Sequence, residues 1–254
     1  VLALLLVLAF PALAAPVRVA SIGHLCTDEL VLLLARPGQV VSVTSFGHDA
    51  DETPLAGKAK GLHRNNGTLT SVVALDPDLV ITAGLGGQTA TSLAARLGIA
   101  VLDVPPPRSI ADMRANIRRV AAALGTPARG EAIVGWMDAR LGAPPPTRRP
   151  ALMVTAGGLT PAADSVSAEL LAHAGIAHQT QPAQRVSREW LRRHAGLPLV
   201  LSRYRAGQFS MAQQWQDDAA GAARRVHRID GRAWTCPGPL AAADVARLRQ
   251  DFTR

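Results

Sequence analysis

Thr126–Gly142, TPARGEAIVGWMDARLG, is the stretch whose reading decides the fold. Thr126 is a good N-cap residue, and Pro127 suits the first helical position, where its missing N–H costs nothing. Ile133, Trp136, Met137 and Leu141 recur at helical spacing, and Gly142 with Pro144, Pro145 and Pro146 stops the helix. On each side the chain runs through strand, helix, strand, broken segment, helix, strand and helix. The fold class is therefore read as α/β: two lobes, each with a mainly parallel sheet flanked by helices, joined by a single helix. The lobes are expected over 16–107 and 148–254, with connecting helices, the strut among them, over 108–147. A strut of about 16 residues would measure about 24 Å.

Outward from the strut, the first half reads as strands at Arg18–Gly23, Val40–Ser45, Asp78–Ala83 and Ala100–Val104. Helices are expected at Cys26–Ala35, Thr89–Leu97 and Ser109–Leu124, with a short one at Thr68–Leu75. Phe46–Gly67 is polar and irregular, and a loop that long is often functional. The second half reads as strands at Ala151–Thr155, Leu197–Ser202 and Val226–Ile229. Its helices are expected at Ser167–Ala174, Ser187–His194, Met211–Ala220 and Leu240–Phe252, with Trp234–Pro239 a loop. Trp136 and Trp215 fall among apolar neighbours at helical spacing and read as core.

Composition narrows the function. The first 15 residues, VLALLLVLAFPALAA, are too few to span a membrane and end in small residues. They fit part of a signal peptide with a cleavage site at Ala12-Leu13-Ala14, which implies an exported protein, and the location expected is the periplasm once the resemblance below is added. The formal net charge is +8, and arginine supplies nearly all of the positive charge, Lys58 and Lys60 being the lysines. One Tyr, four Phe and four Trp are too few to interleave stacking rings with basic residues, so no nucleic-acid partner is expected. No G-x-S-x-G elbow is present. Cys26 with His24 could imitate a thiol nucleophile but lacks an orienting third residue. No enzyme activity, cofactor or resident metal is expected.

Four segments carry a family resemblance: RVASIGHLCTDELVLLLARPGQVVSVTSF from Arg18, ALDPDLVITAG from Ala74, SAELLAHAGI from Ser167, and WTCPGPLAAADVARL from Trp234. In this order the chain resembles the periplasmic substrate-binding proteins of ABC importers for iron-siderophores, haem and vitamin B12, the group with a helical strut. The cysteines in LCTD and WTCPGP are similar to a subgroup with one cysteine per lobe. The resemblance implies one ligand in the cleft between the lobes, limited opening about the strut, a monomer, and delivery to a membrane permease driven by an ATPase. It also implies a permease-docking carboxylate on each lobe. Glu189 matches that position in the second lobe. Thr70 stands there in the first, so that charge is missing or displaced to Asp51 or Glu52. The implied cargo is a metal chelate: a ferric siderophore first, then cobalamin, then haem. A binding module serving a receptor or sensor is the other class kept open.

Ligands of α/β sheets bind outside the carboxyl ends of parallel strands, which selects the candidate contacts. His24, His48 and His63 could touch iron or donate to a chelate. Arg64 and Arg205, one per lobe, suit carboxylate or catecholate oxygens. Gly86 and Thr160 lie in the same loops, and Tyr204 and Trp234 offer flat faces. Cys26 and Cys236 fall in cleft-facing loops, and three readings stay open: a disulfide, two buried thiols, or two thiolates on a soft metal. The acidic loop His48–Glu52, HDADE, reads as a solvated turn rather than a cation site.

Overall fold

The computed structural model describes residues 15–83, 87–181, 183–203, 205 and 210–252. The apolar leader at 1–14, Gly86 and Tyr204 lie outside the described residues. Five strands build the first sheet: Val19–Ser21 (β1), Val40–Thr44 (β2), His63–Asn65 (β3), Leu79–Thr82 (β4) and Ala100–Asp103 (β5). Their order is β3-β2-β1-β4-β5, and every neighbouring pair is parallel. β1 and β4 are buried along their whole length, as strands covered on both faces must be. Leu25–Leu34 (α1) joins β1 to β2, and Gly87–Arg96 (α2) joins β4 to β5.

Ile110–Ala123 (α3) and Pro127–Leu141 (α4) then lead to a second parallel sheet. It holds Arg149–Val154 (β6), Ile176–His178 (β7), Leu199–Arg203 (β8) and Val226–Asp230 (β9) in the order β7-β6-β8-β9. Val166–His173 (α5), Arg188–Arg193 (α6), Met211–Ala222 (α7), Gly231–Thr235 (α8) and Ala241–Phe252 (α9) complete the lobe. Two lobes of parallel sheet flanked by helices are thus the architecture that the sequence implied.

The strut is less separate than a bare connector. Arg114–Asp138 at 2.9 Å and Arg118–Glu131 at 2.7 Å link α3 to α4. Gly130 lets the two helices meet at Ala121, whose Cβ would lie 2.6 Å from a Cβ at that position. Val31 and Leu34 of α1, Ile117 and Val120 of α3, Met137 and Leu141 of α4, and Leu248 and Phe252 of α9 belong to one buried apolar cluster. One hydrophobic core therefore runs from the first lobe through the strut into the second.

Several expectations need correction. The Thr126 side chain does not cap α4; its Oγ1 donates to Ala121 O at 3.3 Å instead. Trp136 is 39% exposed, with Arg140 stacked 3.8 Å above its ring, rather than in the core. Thr68–Leu75 is two 3-10 turns, Leu69–Ser71 and Val73–Leu75, ended by Asp76 at φ 49°. Inside the stretch read as irregular, His63–Asn65 forms edge strand β3. Asn65 holds it in place, its Nδ2 donating to Ser21 O and to Ser42 Oγ, both at 2.8 Å. Edge strand β7 also went unread. The first part of the expected loop at Trp234 is the end of α8, a helix capped at its start by Asp230, which accepts from the Arg232 N–H.

In both sheets the strand order reverses beside the first strand, between β1 and β4 and between β6 and β8. Gly23 marks the first of these switch points. A Cβ there would overlap the Ala83 backbone nitrogen and lie 2.7 Å from Thr82 C. Gly23→Ala is expected to cost about 1–3 kcal/mol of stability, because backbone and not a flexible side chain must give way. A urea unfolding midpoint equal to that of the parent would show that β1 and β4 can part there.

Candidate functional site

α1 begins at the switch point, so its N-terminal residues lie where a ligand of the first sheet would sit. The loop-to-helix turn is closed by Thr27, whose Oγ1 accepts from the His24 N–H at 3.1 Å and donates to His24 O at 2.8 Å. The His24 ring lies 5.2 Å from the ring of Phe46. At the second residue of the helix, Cys26 forms a disulfide with Cys236, which follows α8 in the other lobe; their Cα atoms are 5.1 Å apart. Of the three open readings of the cysteines, the structure selects the disulfide.

Beside the disulfide lies a pocket of about 270 Å³ formed by both lobes. α1 contributes His24, Cys26, Thr27, Glu29, Leu30 and Leu33. Ala83 follows β4, and Val104 to Pro107 follow β5. Met113, Asn116 and Ile117 come from α3, and Cys236 to Pro239 from the second lobe. The wall is mostly apolar and contains no arginine or lysine among the described residues. Asn116 Nδ2 is committed to Pro105 O at 2.8 Å, which fixes the proline segment against α3.

Two carboxyl groups are buried at this end of α1. Asp28 accepts from the Thr44 N–H and from Thr44 Oγ1, and the Gly47 backbone also bonds to it. Burial nevertheless pushes its pKa up to about 6, with the hydrogen bonds opposing. Glu29 is 5% exposed and accepts from Thr53 Oγ1 at 2.6 Å. Burial, aided by the charge of Asp28, raises it to about 7 against that hydrogen bond.

A second bridge between the lobes uses the acidic loop. Arg205, at φ 54°, reaches Glu52 at 2.6 Å and Asp49 at 3.2 Å. Arg232 donates to Ala50 O at 2.9 Å. HDADE is therefore a clasp on the second lobe and not a solvated turn. Glu52 is buried and paired, so it is not placed to serve as the displaced docking charge.

The expected contacts separate accordingly. His24, Cys26 and Cys236 line the pocket, whereas His48, His63, Arg64, Thr160, Arg205 and Trp234 do not. Trp234 is buried in the core with its indole N–H on Asp244 Oδ2 at 3.1 Å. His63 and Arg64 are exposed on β3, with His63 Nδ1 3.1 Å from Ser42 Oγ. His48 Nε2 and Thr160 Oγ1 are buried with no hydrogen-bond partner among the described residues. Glu189 is exposed in the first turn of α6, 3.6 Å from Arg193, and Thr70 is exposed in its 3-10 turn. Glu29 and the proline segment were missed as site residues. Two adjacent carboxylates inside LCTDELVLLL, a mostly apolar helix, are the available signal for Glu29.

Two α/β lobes closing on one pocket define a two-lobe binding protein. Residues 21–196 match the family model described as periplasmic binding protein, and the chain belongs to that family. It resembles the periplasmic haem-binding protein RhuT from Roseiflexus sp. RS-1 in apo form at a TM-score of 0.67 and 19% identity, over 92% of this chain and 98% of that one. The periplasmic vitamin B12 binding protein BtuF of Vibrio cholerae aligns at 0.62 and 16% identity, over 93% and 97%. The molybdate-binding protein MolA of Haemophilus influenzae aligns at 0.66 and 17%, over 93% and 88%. No curated protein matches the chain.

Proposed function

We propose that this protein is the periplasmic solute-binding component of an ABC importer and that it carries a metal chelate of the ferric-siderophore type between its lobes to a membrane permease. The observation that carries the reading is the apolar pocket at the first switch point, built by both lobes and bordered by the disulfide. Apolar walls with a few polar groups are what organic ligands use. His24 is the proposed polar contact at the mouth, and Glu189 the proposed docking charge for the permease. Cobalamin and haem are the alternative cargoes, favoured by the apolar wall and by the folds of the two relatives named for them.

Native mass spectrometry of the oxidised protein with a ferric trihydroxamate, a ferric triscatecholate, cyanocobalamin and haem tests this. One adduct per chain with a ferric chelate is the expected result. An adduct only with cobalamin or haem replaces the cargo. No adduct from any of the four overturns the chelate reading and leaves the receptor-module class.

A further inference from the structure

Glu29 lines a pocket that, among the described residues, holds no arginine or lysine, and its carboxyl group is buried at the edge of that wall on Thr53 Oγ1. It lies on the fifth residue of α1, beyond the first turn, where the helix dipole has faded. Leu30 and Leu33 flank it on the pocket side, and α3 faces it with Met113, Asn116 and Ile117, none of which ionises. The titratable or charged groups around it are few. Asp28 precedes it, and His24 stands at the mouth. The loop through Thr53 carries Asp49, Asp51 and Glu52, and Arg205 is engaged with Asp49 and Glu52. Arg232 is turned to Asp230 and to Ala50 O. His48, in the Phe46–His48 turn packed against α1, is the other titratable group on that side; Asp49 and Glu52 are paired with Arg205, so Asp28 and Glu29 are the carboxyl groups of α1 that no arginine or lysine is shown to pair.

We propose that Glu29 is the charge-selecting residue of the pocket: it favours cargo that presents a neutral hydrogen-bonding or cationic group to the α1 wall and rejects cargo that presents an anion there. This rests on the carrier reading above and narrows its cargo. The physical reason is the low effective dielectric of an apolar pocket. There an anion beside a carboxylate is repelled far more than in water, and a cation is attracted by the same factor. Since burial raises Glu29 to about 7, the group changes charge near neutral pH. Protonated, it can donate a hydrogen bond to a neutral acceptor; ionised, it pairs with a cation.

Three ferric chelates of graded charge test this: a cationic linear trihydroxamate, a neutral cyclic trihydroxamate and the trianionic triscatecholate. Each is titrated by tryptophan fluorescence against the oxidised protein and Glu29→Gln. Affinity for the cationic chelate is expected to rise about tenfold from about pH 6 to about pH 8, following ionisation of the acid, while that for the neutral one falls as the donating proton is lost. Glu29→Gln should abolish that slope and narrow the gap between the cationic and anionic chelates. Thr53→Val, which removes the hydrogen bond that opposes the rise, should keep the slope and move its midpoint to higher pH. A slope that survives in Glu29→Gln, or tightest binding of the triscatecholate by the parent, overturns the assignment while leaving the carrier intact. No saturable binding of any chelate overturns the chelate-carrier reading and this proposal with it.

Discussion

Replacing both Cys26 and Cys236 with alanine is expected to lower the unfolding free energy by up to about 5 kcal/mol. The bond spans a sequence separation of 210 residues, so in the unfolded chain it ties together most of the molecule. Loop-closure entropy grows with the logarithm of loop length, which puts this bridge near the top of the range for a single disulfide. The native fold itself should persist, because the core through α3, α4 and α9 and the Arg205 and Arg232 contacts still join the lobes. Urea unfolding of the oxidised parent, the reduced parent and the double variant separates the two effects. The reduced parent and the variant should share a midpoint well below that of the oxidised parent. Equal midpoints for all three would mean that the unfolded chain is already held compact without the bridge.

The second large effect is a fall in stability as the medium turns from mildly acidic to mildly alkaline. Asp28 is raised from 3.8 to about 6 and Glu29 from 4.5 to about 7, both chiefly by burial. The native state therefore holds protons that the unfolded state has released over this window, so the slope of stability against pH is negative there. The contribution is fully present below the unfolded values and is lost as pH rises through the native ones. Two groups that share a site titrate together, and the full shifts set an upper bound of about 6 kcal/mol on their joint effect between about pH 4 and about pH 8. Thermal or urea midpoints across that range provide the check. Glu29→Gln, which cannot ionise, should be more stable than the parent at about pH 8 and no more stable at about pH 4. A midpoint that climbs through the window would contradict the burial of both groups.

The architecture was legible because it depends on repeated, strongly patterned features. VVSVT, LVIT and LVLS are apolar strands that periodicity finds, and Pro127 and Gly142 bracket the strut. What escaped has a common cause. β3 is three polar residues at a sheet edge, held by the amide of one buried Asn65, so no hydropathy pattern announces it. The site was harder still, because its members come from five separate segments and are matched across the lobes. Arg205 looked like a free ligand-binding cation until Glu52, 153 residues away, was seen to hold it. Cys26 and Cys236 were visible as candidates, but their pairing is a fact of distance. Glu29 is hidden for a simpler reason: the helix pattern does not tell a carboxylate buried on Thr53 from one that faces water.

The position of the two cysteines also bears on how the molecule is made. For a chain that crosses a membrane from its N-terminus, Cys236 emerges 210 residues after Cys26. Between them the first lobe, the strut and most of the second must pass while the leading thiol waits unpaired. The 254 residues hold two cysteines, so within them neither thiol has a competing partner. The bond can close only after α8 has brought its neighbour to the start of α1, and its formation therefore reports that the two lobes have met in their native arrangement.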